Sequence, residues 1–369
     1  MISSEPADLD GDRERTAAGQ SIIGRDDAIL VTGAAGFIGV SVVRNLVDHG
    51  FRRVRCLVRP SSDLRRLRAA LGESPGAVHV QLMTGNLLSQ ADAHAASQGV
   101  QVVFHLAAGT GSKSFPDAFL NSVVTTRNLL EAVCREGCLK RFVNVSSFAV
   151  YTNASNGQRG LLDESSQVEP RPQSRAEAYC YAKVRQDELV TDYGKRCGLP
   201  FVIVRPGVVY GPDKHTITGR VGIDTFGVFL HLGGSNPIPF TYVDNCAAAI
   251  VLAGLRPGVE GEVFNIVDDD LPTSRQLLRA YKRHVRPFHS VYLPKVASYL
   301  FCLLWEKYSA WSQQQLPPVF TRREWRATWR RTAYSNEKLK RRLGWKPQVA
   351  TQEGLRRYFE GCREALDHA

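Results

Sequence analysis

Tyr179 and Lys183 stand four residues apart in Tyr179-Cys180-Tyr181-Ala182-Lys183, a spacing that places both on one face of a helix. A phenol moves protons poorly at neutral pH, because its ordinary pKa is about 10. An ammonium beside it favours the phenolate and can also hold a ribose. Such a pair suits general acid/base work on an alcohol or carbonyl. Tyr181 has Arg185 at the same offset, so spacing alone does not single out one pair.

A second pattern is Thr32-Gly33-Ala34-Ala35-Gly36-Phe37-Ile38-Gly39, with its glycines spaced GxxGxxG. It follows Ala28–Val31, an apolar strand, and precedes apolar residues at helical spacing over Phe37–Val47. There the chain must turn tightly, approach a pyrophosphate and offer free helix N-terminal N–H groups to its charge. The next strand, Val54–Val58, ends in Arg59, where an acid ordinarily meets the adenosine ribose. A cation there suits a 2′-phosphate, so NADP(H) is expected ahead of NAD(H), with Arg65 and Arg66 as helpers.

The elements that must position these residues alternate along the chain. Strands are expected at Val78–Leu82, Val100–Leu106, Arg141–Val145, Phe201–Val204 and Glu262–Val267. Helices are expected around Leu64–Leu71 and over Ala118–Arg135 and Tyr179–Arg196. Short β-branched strands separated by helices predict an α/β fold with a parallel sheet covered on both faces. Residues 1–27 are polar and aperiodic and read as a mobile tail without a signal peptide.

The chain has 369 residues, 43% of them hydrophobic, which suits a globular protein and excludes a mostly disordered or collagen-like one. Its eight cysteines are dispersed; Cys134 and Cys138 are a helical turn apart, but no second pair completes a metal site. Dispersed thiols fit a reducing, cytoplasmic setting. Val296–Trp305 is apolar and uncharged but shorter than the roughly 20 residues of a membrane span, so it reads as a buried or interfacial helix.

Taken in order, TGAAGFIG, Phe104–Ala108 (FHLAA), Asn144–Tyr151 (NVSSFAVY), YxxxK, Arg205–Pro212 (RPGVVYGP), Phe240–Ile250 (FTYVDNCAAAI) and Leu343–Pro347 (LGWKP) resemble the extended short-chain dehydrogenase/reductase family. The resemblance covers about residues 28–360. It implies a Rossmann-type doubly wound parallel sheet with a smaller C-terminal substrate-binding lobe. The dinucleotide domain would take 28–210 and 241–270, the lobe 211–240 and 271–369.

The same resemblance implies roles. Tyr179 would be the general acid/base, Lys183 its pKa-lowering partner and ribose anchor, and Ser147, not Ser146, the donor to the substrate oxygen. Gly33, Gly36, Phe37 and Ile38 would line the pyrophosphate, and Leu106, Ala107 and Ala108 the cofactor groove. Pro206 and Val208 would sit near the nicotinamide. Gly85-Asn86-Leu87 stands where the family has Gly-Asp-Leu, so Asn86 would meet the adenine amine with an acceptor oxygen but no charge. His105 reads as a packed histidine, and Asp213, Lys214 and His215 as turn residues in a substrate loop.

Within the family, dehydratases carry Thr-Asp-Glu where this chain has Ser147-Phe148-Ala149, and Arg59 counts against a tightly held NAD. The segment Leu293–Trp311 with Leu316-Pro317-Pro318 is similar to the 3β-hydroxysteroid dehydrogenase-like branch. The leading expectation is an oxidoreductase moving a hydride between NAD(P) and an apolar, steroid- or lipid-like secondary alcohol or ketone. A nucleotide-sugar epimerase with bound NAD is the alternative; a non-catalytic dinucleotide-binding sensor or scaffold is a further one. Analogy with the family also suggests a homodimer through the helices at 118–135 and 179–196.

The formal charge of +11 is concentrated: residues 321–346 hold ten basic and two acidic residues, with Trp325 and Trp329 interleaved. Beside the apolar segment this favours an anionic lipid surface or a phosphorylated substrate over nucleic acid. A solvated helix face is the plain alternative.

Overall fold

Short apolar strands build the centre of the molecule, and each is followed by a helix that returns the chain. The computed structural model describes residues 21–72, 80–109, 114–152, 160–175, 177–225, 227–312, 321–329 and 332–367. The strands are β1 (Ala28–Thr32), β2 (Val54–Val58), β3 (Val80–Thr84), β4 (Val100–His105), β5 (Arg141–Val145), β6 (Phe201–Pro206) and β11 (Val263–Ile266). They pair in parallel in the order β11-β6-β5-β4-β1-β2-β3. The order reverses between β1 and β4, opening a crevice beyond their carboxyl ends where dinucleotide folds bind their ligand.

Alternation along the strands feeds two cores. Ile29, Val31, Phe104, Val143 and Val204 face α1 (Phe37–Asp48) and α6 (Val243–Leu255). Leu30, Val103, Phe142 and Ile203 face the opposite layer of α3 (Gln90–Ser97), α4 (Thr125–Glu136) and α5 (Ala178–Cys197). With both faces covered, the strands carry apolar residues at nearly every position.

A second, smaller lobe is built on β8 (Gly222–Thr225), β9 (Val228–His231) and β12 (Ser290–Tyr292), in the order β12-β9-β8. Around them stand α7 (Ser274–His284), α8 (Lys295–Trp311), α9 (Arg322–Trp329) and α11 (Thr351–Asp367). A short parallel pair, β7 (Val208–Tyr210) with β10 (Phe240–Tyr242), joins lobe and sheet.

Four expectations need correction. The tail stops short of residue 27: Ile22 N–H donates to Leu255 O at 2.9 Å and Ile23 is buried, because two adjacent isoleucines find the edge of the core. Residues 1–20 lie outside the described residues. The helix expected at Ala118–Arg135 is interrupted by a π-helical stretch, Phe119–Val124, where the Thr125 and Thr126 hydroxyls bond the Ser122 carbonyl at 3.0 and 2.6 Å.

The lobe boundary also moves. α10 (Glu337–Leu343) and Trp345 belong to the dinucleotide domain, since Leu339, Leu343 and Trp345 are buried in its core and Trp345 Nε1 donates to Asn245 O at 3.0 Å. Finally, of the two expectations for α8, buried or interfacial, the buried one fails. Val296, Leu300, Leu304, Tyr308 and Trp311 recur along one stripe, and all are exposed. No helix of the described residues is long and apolar enough to cross a membrane.

Candidate active site

Gly33 adopts φ +71°, and a Cβ there would lie 2.9 Å from Ala107 N. A Cβ on Gly39 would lie 2.1 Å from Gly33 O, so the first helix can pack on the turn only without one. Gly36 caps α1 with no side-chain hydrogen bond, and no acid sits in the first turn. The helix N-terminus therefore keeps its affinity for an anion. A groove of about 430 Å³ opens here, lined by Gly33, Gly36, Arg59, Asn86, Leu87 and Leu106–Ala108. This glycine cradle fits a dinucleotide, whose pyrophosphate needs backbone that a Cβ would block.

The structure separates the expected cofactor residues. Phe37 and Ile38 turn their side chains into the packing between layers, leaving only backbone for a pyrophosphate. Asn86 Oδ1 accepts the Leu88 N–H at 3.0 Å, folding the turn that holds it at the groove. Arg59 is exposed on the groove wall, and its N–H donates to Ser62 Oγ at 3.1 Å. The expected helpers are engaged elsewhere: Arg65 pairs with Asp63 at 2.7 Å, and Arg66 stands 3.9 Å from Asp213. Pro206 is buried, whereas Val208 lines a second cavity.

That second cavity, of about 470 Å³, has Ser147 in its wall. Ser147 lies at the start of a 3-10 turn after β5, with its Oγ accepting the Ala149 N–H at 3.2 Å. Its neighbour Ser146 instead donates to Asp187 Oδ2 at 2.9 Å and is buried. Of the two adjacent serines, Ser147 is the one that lines the cavity. Asp213, Lys214 and His215 do not line this cavity.

Enclosure pushes the Tyr179 phenol above its ordinary pKa, the Ser147 hydrogen bond pulls it down, and the Asp187 carboxylate pushes it up. Lys183 follows Tyr179 by one helical turn. Its Nζ donates to Val145 O at 2.6 Å and to Gln186 Oε1 at 2.9 Å, and burial lowers its pKa to about 8, against a smaller opposing pull from Asp187. The ammonium is drawn to the sheet rather than the phenol.

Asp187, which sequence reasoning missed, and His105, packed as expected, stand behind the site. Asp187 follows Lys183 by one helical turn, so continuing the Tyr179–Lys183 spacing would have found it. It accepts from Asn144 at 2.9 Å, from Ser146 and from the Arg205 guanidinium at 3.1 and 3.2 Å. His105 is buried between Thr32 and Thr126, with both ring nitrogens 2.8 Å from a threonine oxygen. Thr126 donates to Ser122 O, so His105 Nε2 is the donor to Thr126 and Nδ1 accepts from Thr32. Gln186 Nε2 also donates to Thr126 at 2.8 Å, tying the glycine turn to Lys183.

Residues 29–267 match the NAD dependent epimerase/dehydratase family. The chain belongs to that family. Among its relatives is the 3beta-hydroxysteroid-dehydrogenase/decarboxylase isoform 1 of Arabidopsis thaliana, 28% identical over 90% of this chain and 78% of the relative. The 2-alkyl-3-oxoalkanoate reductase of Stenotrophomonas maltophilia (strain K279a) is 28% identical over 89% of this chain and 97% of the relative. Of solved structures, UDP-glucuronic acid 4-epimerase from Bacillus cereus, in complex with UDP-glucuronic acid and NAD, superposes with a TM-score of 0.68. It covers 92% of this chain and 99% of its own at 22% identity, a likeness of fold. The extended short-chain dehydrogenase/reductase reading and the Rossmann-type sheet are thereby established, and the chain is an epimerase/dehydratase-type oxidoreductase.

Proposed function

We propose that this protein transfers a hydride reversibly between a nicotinamide dinucleotide and the carbinol carbon of an apolar secondary alcohol or ketone. The observation that carries the reading is Ser147 in the wall of a largely apolar cavity, with its hydroxyl acting on the Tyr179 phenol to lower its pKa. Bound in the groove, the dinucleotide supplies or accepts the hydride. Ser147 donates to the substrate oxygen, and Tyr179 passes the proton. Lys183, held by Val145 and Gln186, anchors the nicotinamide ribose.

Ile223, Leu230, Leu232, Phe301 and Trp325 line the cavity, which supports a lipid-like substrate over a sugar. Both relatives named above align through this lobe, and their names describe a hydroxysteroid and an oxoalkanoate. Arg59 on the groove wall supports NADP(H) as the preferred cofactor. The homodimer is supported by Phe115, Phe119 and Leu120, exposed beside α5. Peripheral membrane contact is supported by the apolar stripe of α8. The Trp-interleaved basic segment turns Trp325 and Trp329 into the cavity wall, and Lys338 and Lys340 pair with Glu262 and Asp269, which argues against a nucleic-acid face.

A nucleotide-sugar epimerase remains the second reading because Asp63, an acid, also lines the adenosine end of the groove. Cofactor content of the purified protein separates the two. An empty site that prefers NADPH, with reduction of apolar ketones, supports the oxidoreductase. Tightly held NAD, with conversion of UDP-sugars, overturns it.

A further inference from the structure

Resting on the oxidoreductase reading and deepening it, we infer that the cavity beside Ser147 takes a substrate bearing a single carboxylate, bound by Arg220. Among the described residues, the charged ones in the cavity wall are Arg175, Glu177 and Arg220. Arg175 is spent: it pairs with Glu177 at 3.1 Å and donates to Ala149 O at 2.7 Å and Tyr151 O at 3.1 Å. Arg220 is different. Its backbone N–H reaches Thr218 Oγ1 at 3.4 Å, while its guanidinium has no ion pair or hydrogen bond among the described residues. It is half-buried, in a wall that also holds Ile223, Leu230, Phe301 and Trp325 beside the hydroxyls of Ser147, Ser298, Thr321 and Thr328.

The wall also holds donors that no protein acceptor meets. Two of its buried polar atoms without a partner, Arg175 Nε and Trp329 Nε1, are both N–H donors. A ligand that closes the cavity against water must leave the Arg220 charge paired, since an unpaired buried cation is costly. A neutral alcohol cannot do this. A diphosphate overshoots, setting surplus negative charge against apolar walls. One carboxylate on an apolar body balances one guanidinium, and Arg forms two parallel hydrogen bonds to such a group.

The test compares 3-hydroxydecanoate with its methyl ester, which differ in that charge, as substrates for oxidation by NAD+ or NADP+. Wild type, Arg220→Ala and Arg220→Lys are assayed, and binding of both compounds and of UDP-glucose is measured by calorimetry. The acid should exceed the ester in kcat/KM by about tenfold or more. That preference should collapse to near unity in Arg220→Ala and be partly retained in Arg220→Lys. Equal use of acid and ester by wild type, a preference that survives in Arg220→Ala, tighter binding of UDP-glucose, or no binding of the acid would each overturn the inference. Arg220-dependent binding of the acid without oxidation keeps the carboxylate subsite and overturns hydride transfer. Oxidation of acid and ester alike does the reverse.

Discussion

Arg205 Nη2 lies 3.1 Å from Asp187 Oδ2, and both side chains are more than nine-tenths buried. The pair joins the strand before the cavity to the helix that carries Tyr179 and Lys183. Around it, Asn144 and Ser146 donate their remaining hydrogen bonds to the same carboxylate. Asp187→Asn leaves a buried guanidinium without its counter-charge. It should destabilise the fold by about 3–5 kcal/mol, measured by denaturant titration. A loss below about 1 kcal/mol, the level of an exposed pair, would deny the network its role.

The glycine turn makes a separate prediction. Gly33→Ala forces a side chain into left-handed backbone and against Ala107 N at 2.9 Å. Strain of this kind costs about 1–3 kcal/mol. Dinucleotide affinity should fall by about tenfold or more, read by fluorescence titration with NADH and NADPH. Unchanged affinity for both would show that the turn does not cradle the pyrophosphate.

His105 supplies a pH dependence. Burial and the Lys183 charge hold its pKa at about 3, against 6.5 when free. Between those values the unfolded chain binds a proton that the native state refuses. Its contribution is therefore complete above pH 6.5 and lost as pH falls toward 3. Asp268, raised to about 6 mainly by burial, works in the opposite direction. The histidine's share is isolated by comparing wild type with His105→Asn. Wild-type stability should fall more steeply on acidification through this window, by up to about 1.4 kcal/mol per pH unit. Parallel curves would mean that His105 titrates normally.

Arg59 tests the cofactor assignment. Arg59→Asp should weaken NADPH by about tenfold or more while leaving NADH within a few-fold, read as separate dissociation constants. Equal losses for both would contradict a 2′-phosphate contact.

Much of this was legible in the sequence because local pattern and global fold agree. β2 and β5 take the bounds expected of them, Val54–Val58 and Arg141–Val145, and the GxxGxxG turn sits at the strand-order reversal. Ser147 is expected from its position in a motif, and in the structure it lines the cavity. What escaped depends on contacts distant in sequence. Nothing local marks Lys183 as held by Val145, a residue on another strand. The core role of Leu339 and Leu343 was hidden under the basic residues between and around them. The π-helical stretch depends on side-chain bonds to the Ser122 carbonyl, which apolar periodicity does not register.

The most direct measurement is transfer of deuterium from C4-deuterated NADPH or NADH to the carbonyl carbon of apolar ketones, with wild type beside Tyr179→Phe. The account predicts label in the alcohol formed by wild type and a rate at least about 100-fold lower in Tyr179→Phe. No label in the product, or a Tyr179→Phe variant as fast as wild type, would contradict it.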